Sequence, residues 1–280
     1  PGSTDRLRTA AEARFAFETY YPAYQASLAD YAARIEKATA GDQDATIRYA
    51  SILRGQQNYM KKTLGQMQGA DRISLSARKA AQEQAYRDWI AADRSRAGFA
   101  EAAAALDRVI AEGQQADMED LVLGKIGRAQ LLAAARTAYR WAKEREKPDA
   151  EREPGYQDRD RRPVEERLAQ IERRYAPKVD RALFEAALED YRRSPAADAA
   201  FLAALDRVGL DRLYAETRLG DTALRKAWLD KPAAAFETPD DPFIQLAVAL
   251  YPRGMERELD AKARAGREQA ARSQYMRGML

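Results

Sequence analysis

The stretch TIRYASILRGQQNYMKKTLGQMQG, Thr46–Gly69, decides how this sequence folds. Ile47, Ala50, Leu53, Met60, Leu64 and Met67 recur at steps of three, four or seven residues, the spacing of one buried stripe along a helix. Three amides in a row, Gln56, Gln57 and Asn58, interrupt it just after Gly55. Glycine costs up to about 1 kcal/mol against alanine inside a helix, and an asparagine side chain competes for nearby backbone groups. A helix shaped by stability alone would carry Ala, Leu or Glu there. Gln57 falls on the apolar stripe and Asn58 lies one step to its side. Two readings stand together: the amides are solvated or join helix to helix, or the helix presents a hydrogen-bonding amide to a ligand.

Helical patterns continue on both sides. Thr9 with Glu12 reads as a capping box opening a helix that runs to Tyr20, and Tyr20-Tyr21-Pro22 reads as a break. A second helix spans 22–39 and ends at Gly41; Asp42 or Asp44 caps the central helix, which Gly69 closes. Helices follow over 76–92, 95–112 (stopped by Gly113) and 117–146, the last with a bend at Gly124 and Gly127. Residues 147–162, KPDAEREPGYQDRDRR, read as a solvated loop and as the seam between two halves of a single 1–280 domain. Beyond it Pro163, Pro177, Pro195 and Pro242 sit where first helical residues belong, and Pro252 opens a long final helix. No period-two alternation marks a strand. The sequence predicts an all-α, multi-helix bundle.

Composition narrows the function. Forty-seven Lys and Arg against forty-four Asp and Glu leave +3, with the signs interleaved along the helices. That suits solvated faces with (i, i+4) pairs and not a basic stripe for nucleic acid. The chain has no cysteine and no histidine. It therefore cannot build a Ser-His-Asp or Cys-His arrangement, a zinc-thiolate site or a histidine metal site by itself. No cofactor or metal is expected, and no catalytic residue. No acid pair stands apart for general acid–base work. The most apolar window, 243–250, is too short to span a membrane. The chain opens on Pro1-Gly2-Ser3-Thr4 and closes on Met279-Leu280 with a helical pattern still running, which reads as a part of something longer.

Three stretches, PGSTDRLRTAAEARFAFETYYP (1–22), NYMKKTLGQMQG (58–69) and DDPFIQLAVALYP (240–252) with RSQYM (272–276), occur in one order across nearly the whole chain. In them the sequence resembles the helical domain of the bacterial serine dipeptidyl aminopeptidases, the group of dipeptidyl-peptidases seven and eleven. The resemblance implies an insertion in a chymotrypsin-like double β-barrel that holds the Ser-His-Asp triad, with the helical domain covering the cleft. It implies release of dipeptides from free N-termini, in the periplasm or at the cell surface, commonly by a homodimer. In that family an asparagine on a helix of the cap helps to bind the substrate's α-amino group, and its match here is Asn58. The family often has tryptophan where this chain has Met60, which changes the pocket lining and leaves the amide. Tyr59 is expected to pack in the core and Lys61 to be surface charge. The partners so implied are a peptide substrate and the catalytic barrel, with neither nucleic acid nor membrane. The rival reading is a free-standing helical interaction module whose apolar grooves take a partner helix.

Overall fold

The computed structural model describes residues 8–279. Among them every regular element is helical: α1 Ala10–Arg14, α2 Tyr21–Thr39, α3 Gln43–Arg72, α4 Leu75–Ala91, α5 Ala97–Ile126 and α6 Gln130–Glu144. There follow α7 Arg161–Arg174, α8 Pro177–Arg192, α9 Ala199–Val208, α10 Leu210–Ala215, α11 Thr222–Ala227 and α12 Pro242–Met279. The all-α expectation is borne out. No helix among the described residues is long and apolar enough to cross a membrane.

The capping box forms as read, with Thr9 N donating to Glu12 Oε2 at 2.7 Å and Glu12 N to Thr9 Oγ1 at 3.2 Å. Tyr20–Pro22 does not break the helix. Phe15–Tyr20 widens into a π turn in which the Tyr21 amide donates back to the Ala16 carbonyl. A turn of that width tolerates Pro22, which has no N–H to give. Gly113 does not stop a helix either: α5 runs through it, and a Cβ there would meet only the Arg264 side chain of α12, at 3.8 Å. The break falls instead at residues 127–129, between α5 and α6. Pro252 lies inside α12, at an exposed position, and Pro195 in a turn ahead of α9, whose cap is Asp198.

The described chain packs as two compact units. The first holds the residues up to Asp30, Gln56–Leu121 and those from Arg257 on; the second holds Tyr31–Gly55 and Val122–Glu256. The chain thus parts inside α2, α3, α5 and α12, and the charged run 147–162 lies wholly within the second unit. That run is tied down: Glu144, only 1% exposed, accepts from Lys147 Nζ at 2.8 Å and from the Glu153 amide at 3.1 Å.

In the first unit Tyr86 and Ile90 of α4, Leu106, Val109 and Ile110 of α5 and Tyr275 of α12 form the core. The Tyr86 ring meets Tyr275 edge-on at 5.0 Å, and its hydroxyl donates to the Tyr275 carbonyl at 3.2 Å. Gly278 permits this approach, since a Cβ there would stand 2.9 Å from Phe99 Cδ1 and from Tyr86 Cε2. In the second unit Trp141, Phe184, Phe201, Phe243 and Ile244 share a core. Beside it lies Asp180, 2% exposed, whose Oδ1 accepts from the first amide of α6, Gln130 N, at 2.9 Å. Its Oδ2 accepts from the Tyr214 hydroxyl at 3.0 Å. Burial raises the Asp180 carboxyl to about 6, against the pull of those two donors. Burial also raises the phenols of Tyr31, Tyr49, Tyr175 and Tyr214, and the Asp180 charge pushes the same way.

Two measurements test these contacts. Gly278→Ala is expected to destabilise by about 1–3 kcal/mol through overpacking. Gly266→Ala, in the same helix with nothing within 4 Å of its added Cβ, is expected to gain up to about 1 kcal/mol. Equal urea midpoints for the two variants would contradict the close approach at Gly278. For Asp180, a carboxyl at 3.8 when unfolded and at about 6 when folded gives the native state an extra proton between those values. The stability it contributes is present at low pH and falls by about 3 kcal/mol as pH rises through 6. Asp180→Asn removes that slope, so the stability difference between wild type and variant should change from about pH 4 to pH 7 and then level off. A difference independent of pH would refute it.

Candidate functional site

The amide run lies on α3, in a phase that differs from the one read from the large apolar residues. Ala45, Tyr49, Thr63 and Ala70 are buried, with Ile52, Gln56, Met60 and Met67 half-buried between them. Ile47 and Leu64, assigned to the stripe from the sequence, are 67% and 49% exposed. Gln57 is exposed as well, and Gln56 takes the inward place, its Oε1 buried without a hydrogen-bond partner. The true stripe carries two polar residues, Gln56 and Thr63, so a count of large apolar side chains lands out of phase.

Within the first unit a second helix holds this part of α3. Gln25 of α2 donates through Nε2 to the Met60 carbonyl and to Thr63 Oγ1, both at 2.5 Å. The Thr63 hydroxyl in turn donates to the Tyr59 carbonyl at 2.9 Å. Neither Gln25 nor Thr63 was singled out from the sequence, since a lone amide and a lone hydroxyl in helical patterns carry no signal there.

Asn58 is two residues from Gln56 and two from Met60, about 200° around the helix from each. It is exposed, and among the described residues its side chain has no hydrogen-bond partner. Arg54, Lys61, Lys62 and Gly65 share that face and are exposed. A Cβ at Gly55 or Gly65 would meet nothing within 4 Å, so the helix surface flanking the amide is bare on both sides. Tyr59 is 53% exposed, which corrects its expected place in the core; Lys61 is at the surface as read. Between Ala45 and Ala70 the helix has four cations and no acid. Arg48 is paired with Asp44 at 2.6 Å, whereas Arg54, Lys61 and Lys62 have no ion-pair partner among the described residues.

The chemistry of this face is binding. A carboxamide offers one acceptor oxygen and two donors, and can meet an ammonium, a carbonyl or a backbone amide. Nothing on it supplies a nucleophile with a base beside it. Among the described residues no group of acids is placed to hold a metal ion. Two open grooves lie away from Asn58: one of about 560 Å³ in the first unit, lined by Phe17, Ala70, Ile73, Leu75 and Arg78, and one of about 470 Å³ in the second, lined by Glu185, Glu189, Arg192 and Asp206.

Comparison with known proteins is consistent across the whole chain. The family model described as Peptidase S46 matches residues 1–280. An Asp/Glu-specific dipeptidyl-peptidase of Shewanella putrefaciens is 34% identical over 288 residues, covering 100% of this chain and 39% of that protein. Dipeptidyl-peptidase 7 of Porphyromonas gingivalis is 32% identical over 84 residues, 30% of this chain and 12% of that protein. The crystal structure of Porphyromonas endodontalis DPP11 in complex with the dipeptide Arg-Glu shares the fold with a TM-score of 0.66 at 18% identity, over 100% of this chain and 41% of that one. A second crystal structure of the same protein matches at 0.66 with 21% identity. The chain thus spans about two fifths of the length of the Shewanella relative and of these structures. On the family match over its full length, and on the one-third identity to a dipeptidyl-peptidase, this chain belongs to the Peptidase S46 family.

Proposed function

We propose that this chain is the substrate-covering helical domain of a serine-type dipeptidyl aminopeptidase, and that Asn58 binds the free α-amino group of the peptide. One observation carries the reading: Asn58, which the sequence resemblance matches to an amine-binding asparagine, is exposed, and its side chain has no hydrogen-bond partner among the described residues. An amide oxygen accepts from an ammonium without the desolvation penalty of a carboxylate. A peptide whose amine is blocked forfeits a charged hydrogen bond worth about 1.5–3 kcal/mol. Arg54, Lys61 and Lys62 oppose an ammonium, so recognition rests on hydrogen-bond geometry, while their field, screened at physiological salt, favours peptides with acidic side chains. That sign agrees with the name of the Shewanella relative.

Hydrolysis belongs, in this proposal, to a Ser-His-Asp triad on chymotrypsin-like β-barrels outside this chain, because the chain holds no histidine. The helical domain contributes binding, orientation and exclusion of water, and releases no dipeptide on its own. The enzyme so assembled acts in the periplasm or at the cell surface, as a homodimer. Asn58→Ala in the full-length enzyme is expected to lower kcat/KM on free-amine peptides by about 10–100-fold, the loss of one charged hydrogen bond. An unchanged kcat/KM would remove Asn58 from the site.

A further inference from the structure

Among the described residues no apolar cluster includes a residue of α3 beyond Gly55. The α3 residues that join one are Ala45, Tyr49, Ile52 and Leu53, all ahead of Gly55, and the apolar cluster of the first unit draws on α1, α4, α5 and α12. From Gln56 on, the inward residues of α3 are Gln56, Met60, Thr63, Met67 and Ala70, and among the described residues the hydrogen bonds that reach them from another helix are the two from Gln25. Gln56, the other inward amide, has its oxygen unpartnered and supplies no competing hold.

We infer that Gln25 is the positioning residue for Asn58, its amide fixing the rotation and height of α3 by holding the Met60 carbonyl and the Thr63 hydroxyl. The inference rests on the amine-binding reading of Asn58. Apolar surfaces slide past one another at little cost, whereas a donor and acceptor meet only within a few tenths of an ångström. A helix with its side chains has a radius of about 5–6 Å, so a turn of about 20° carries the Asn58 amide by about 2 Å. A misplacement of that size breaks a hydrogen bond and can cost about 10²-fold in rate. The lock sits next to the amide in sequence: Gln25 and Thr63 hold the carbonyls of Met60 and Tyr59, the two residues that follow Asn58.

A double-mutant cycle in the full-length enzyme tests this. Gln25→Ala and Gln25→Leu, the second refilling the space without a donor, are each made alone and together with Asn58→Ala, and kcat and KM are measured on a free-amine peptide. Each Gln25 variant alone is expected to lower kcat/KM about ten-fold, mainly through KM, and to cause no further loss once Asn58 is alanine. Wild-type kcat/KM in the Gln25 variants, with Asn58→Ala impaired, would overturn the inference and leave the amine reading standing. So would a loss that persists undiminished in the Asn58→Ala background, the mark of general support to the fold. An Asn58→Ala enzyme with full activity would sink the amine reading itself, and this inference with it. Thr63→Val keeps the Met60 bond and should give a loss of about three-fold that likewise vanishes without Asn58; it decides the matter if the Gln25 variants do not fold.

Discussion

The first half of α3 sits in an apolar cluster, the second is hydrogen-bonded by one amide beside the half-buried Met60 and Met67 and the buried Ala70, and the candidate site stands on that second half. Ala45, Tyr49, Ile52 and Leu53 anchor the helix in an apolar cluster, and beyond Gly55 the inward places pass to Gln56, Met60 and Thr63. A helix held this way keeps one face free of packing. Asn58, Arg54, Lys61 and Lys62 occupy that face, and Gly55 and Gly65 keep it bare. The weak helix formers that look misplaced in the sequence are therefore tolerated where nothing packs on them, and the helix continues through them because its other turns are well made.

Elsewhere the same division of labour recurs, with buried polar groups setting geometry and surface charge giving solubility. Arg162 and Glu166 pair at 2.9 Å with side chains 87% and 59% exposed, an arrangement worth a few tenths of a kcal/mol. Arg225 is 1% exposed and donates to the Leu168 carbonyl at 3.0 Å, the Gly220 carbonyl at 3.1 Å and Thr222 Oγ1 at 2.9 Å. It fastens the start of α11 to α7 and cannot move without leaving a charge unsolvated. Asp180 does the corresponding work at the start of α6, where no residue of that helix's own N-terminus supplies a cap. The interleaved charges counted in the sequence thus belong mostly to the outside, and the few that organise the second unit cannot be told from the rest by type.

Much of the fold was legible. The capping box at Thr9 and Glu12 and the prolines that open α8 and α12 are local devices, and each formed where the residues indicate. Punctuation by glycine and proline was less reliable. Gly113 and Pro252 lie inside long helices because packing along the rest of the helix outweighs a local cost of about 1–3 kcal/mol. The boundary between the units was illegible, for it falls within four helices that each continue through it, and no loop marks it. At the site, Asn58 stood out as an amide in the wrong place for a stable helix, whereas Gln25 and Thr63 looked like ordinary helical residues and became visible only as contacts across 35 and 38 positions of chain.

The sequence by itself determined that this protein is helical throughout, where most of its helices begin, that it holds no histidine- or cysteine-based chemistry, and that one amide on the central helix is out of keeping with its surroundings. Those are matters of residue type and local spacing, which act over a turn or two of chain. Only the tertiary structure decided which way α3 is turned, because a helix's phase is set by what its neighbours offer, and Thr63 found a polar partner in Gln25 at an inward place where the sequence pattern called for an apolar residue. It also decided which charges are buried, which amide is free and which is spent on holding a neighbour, since each of these depends on partners tens of residues away that no local pattern records.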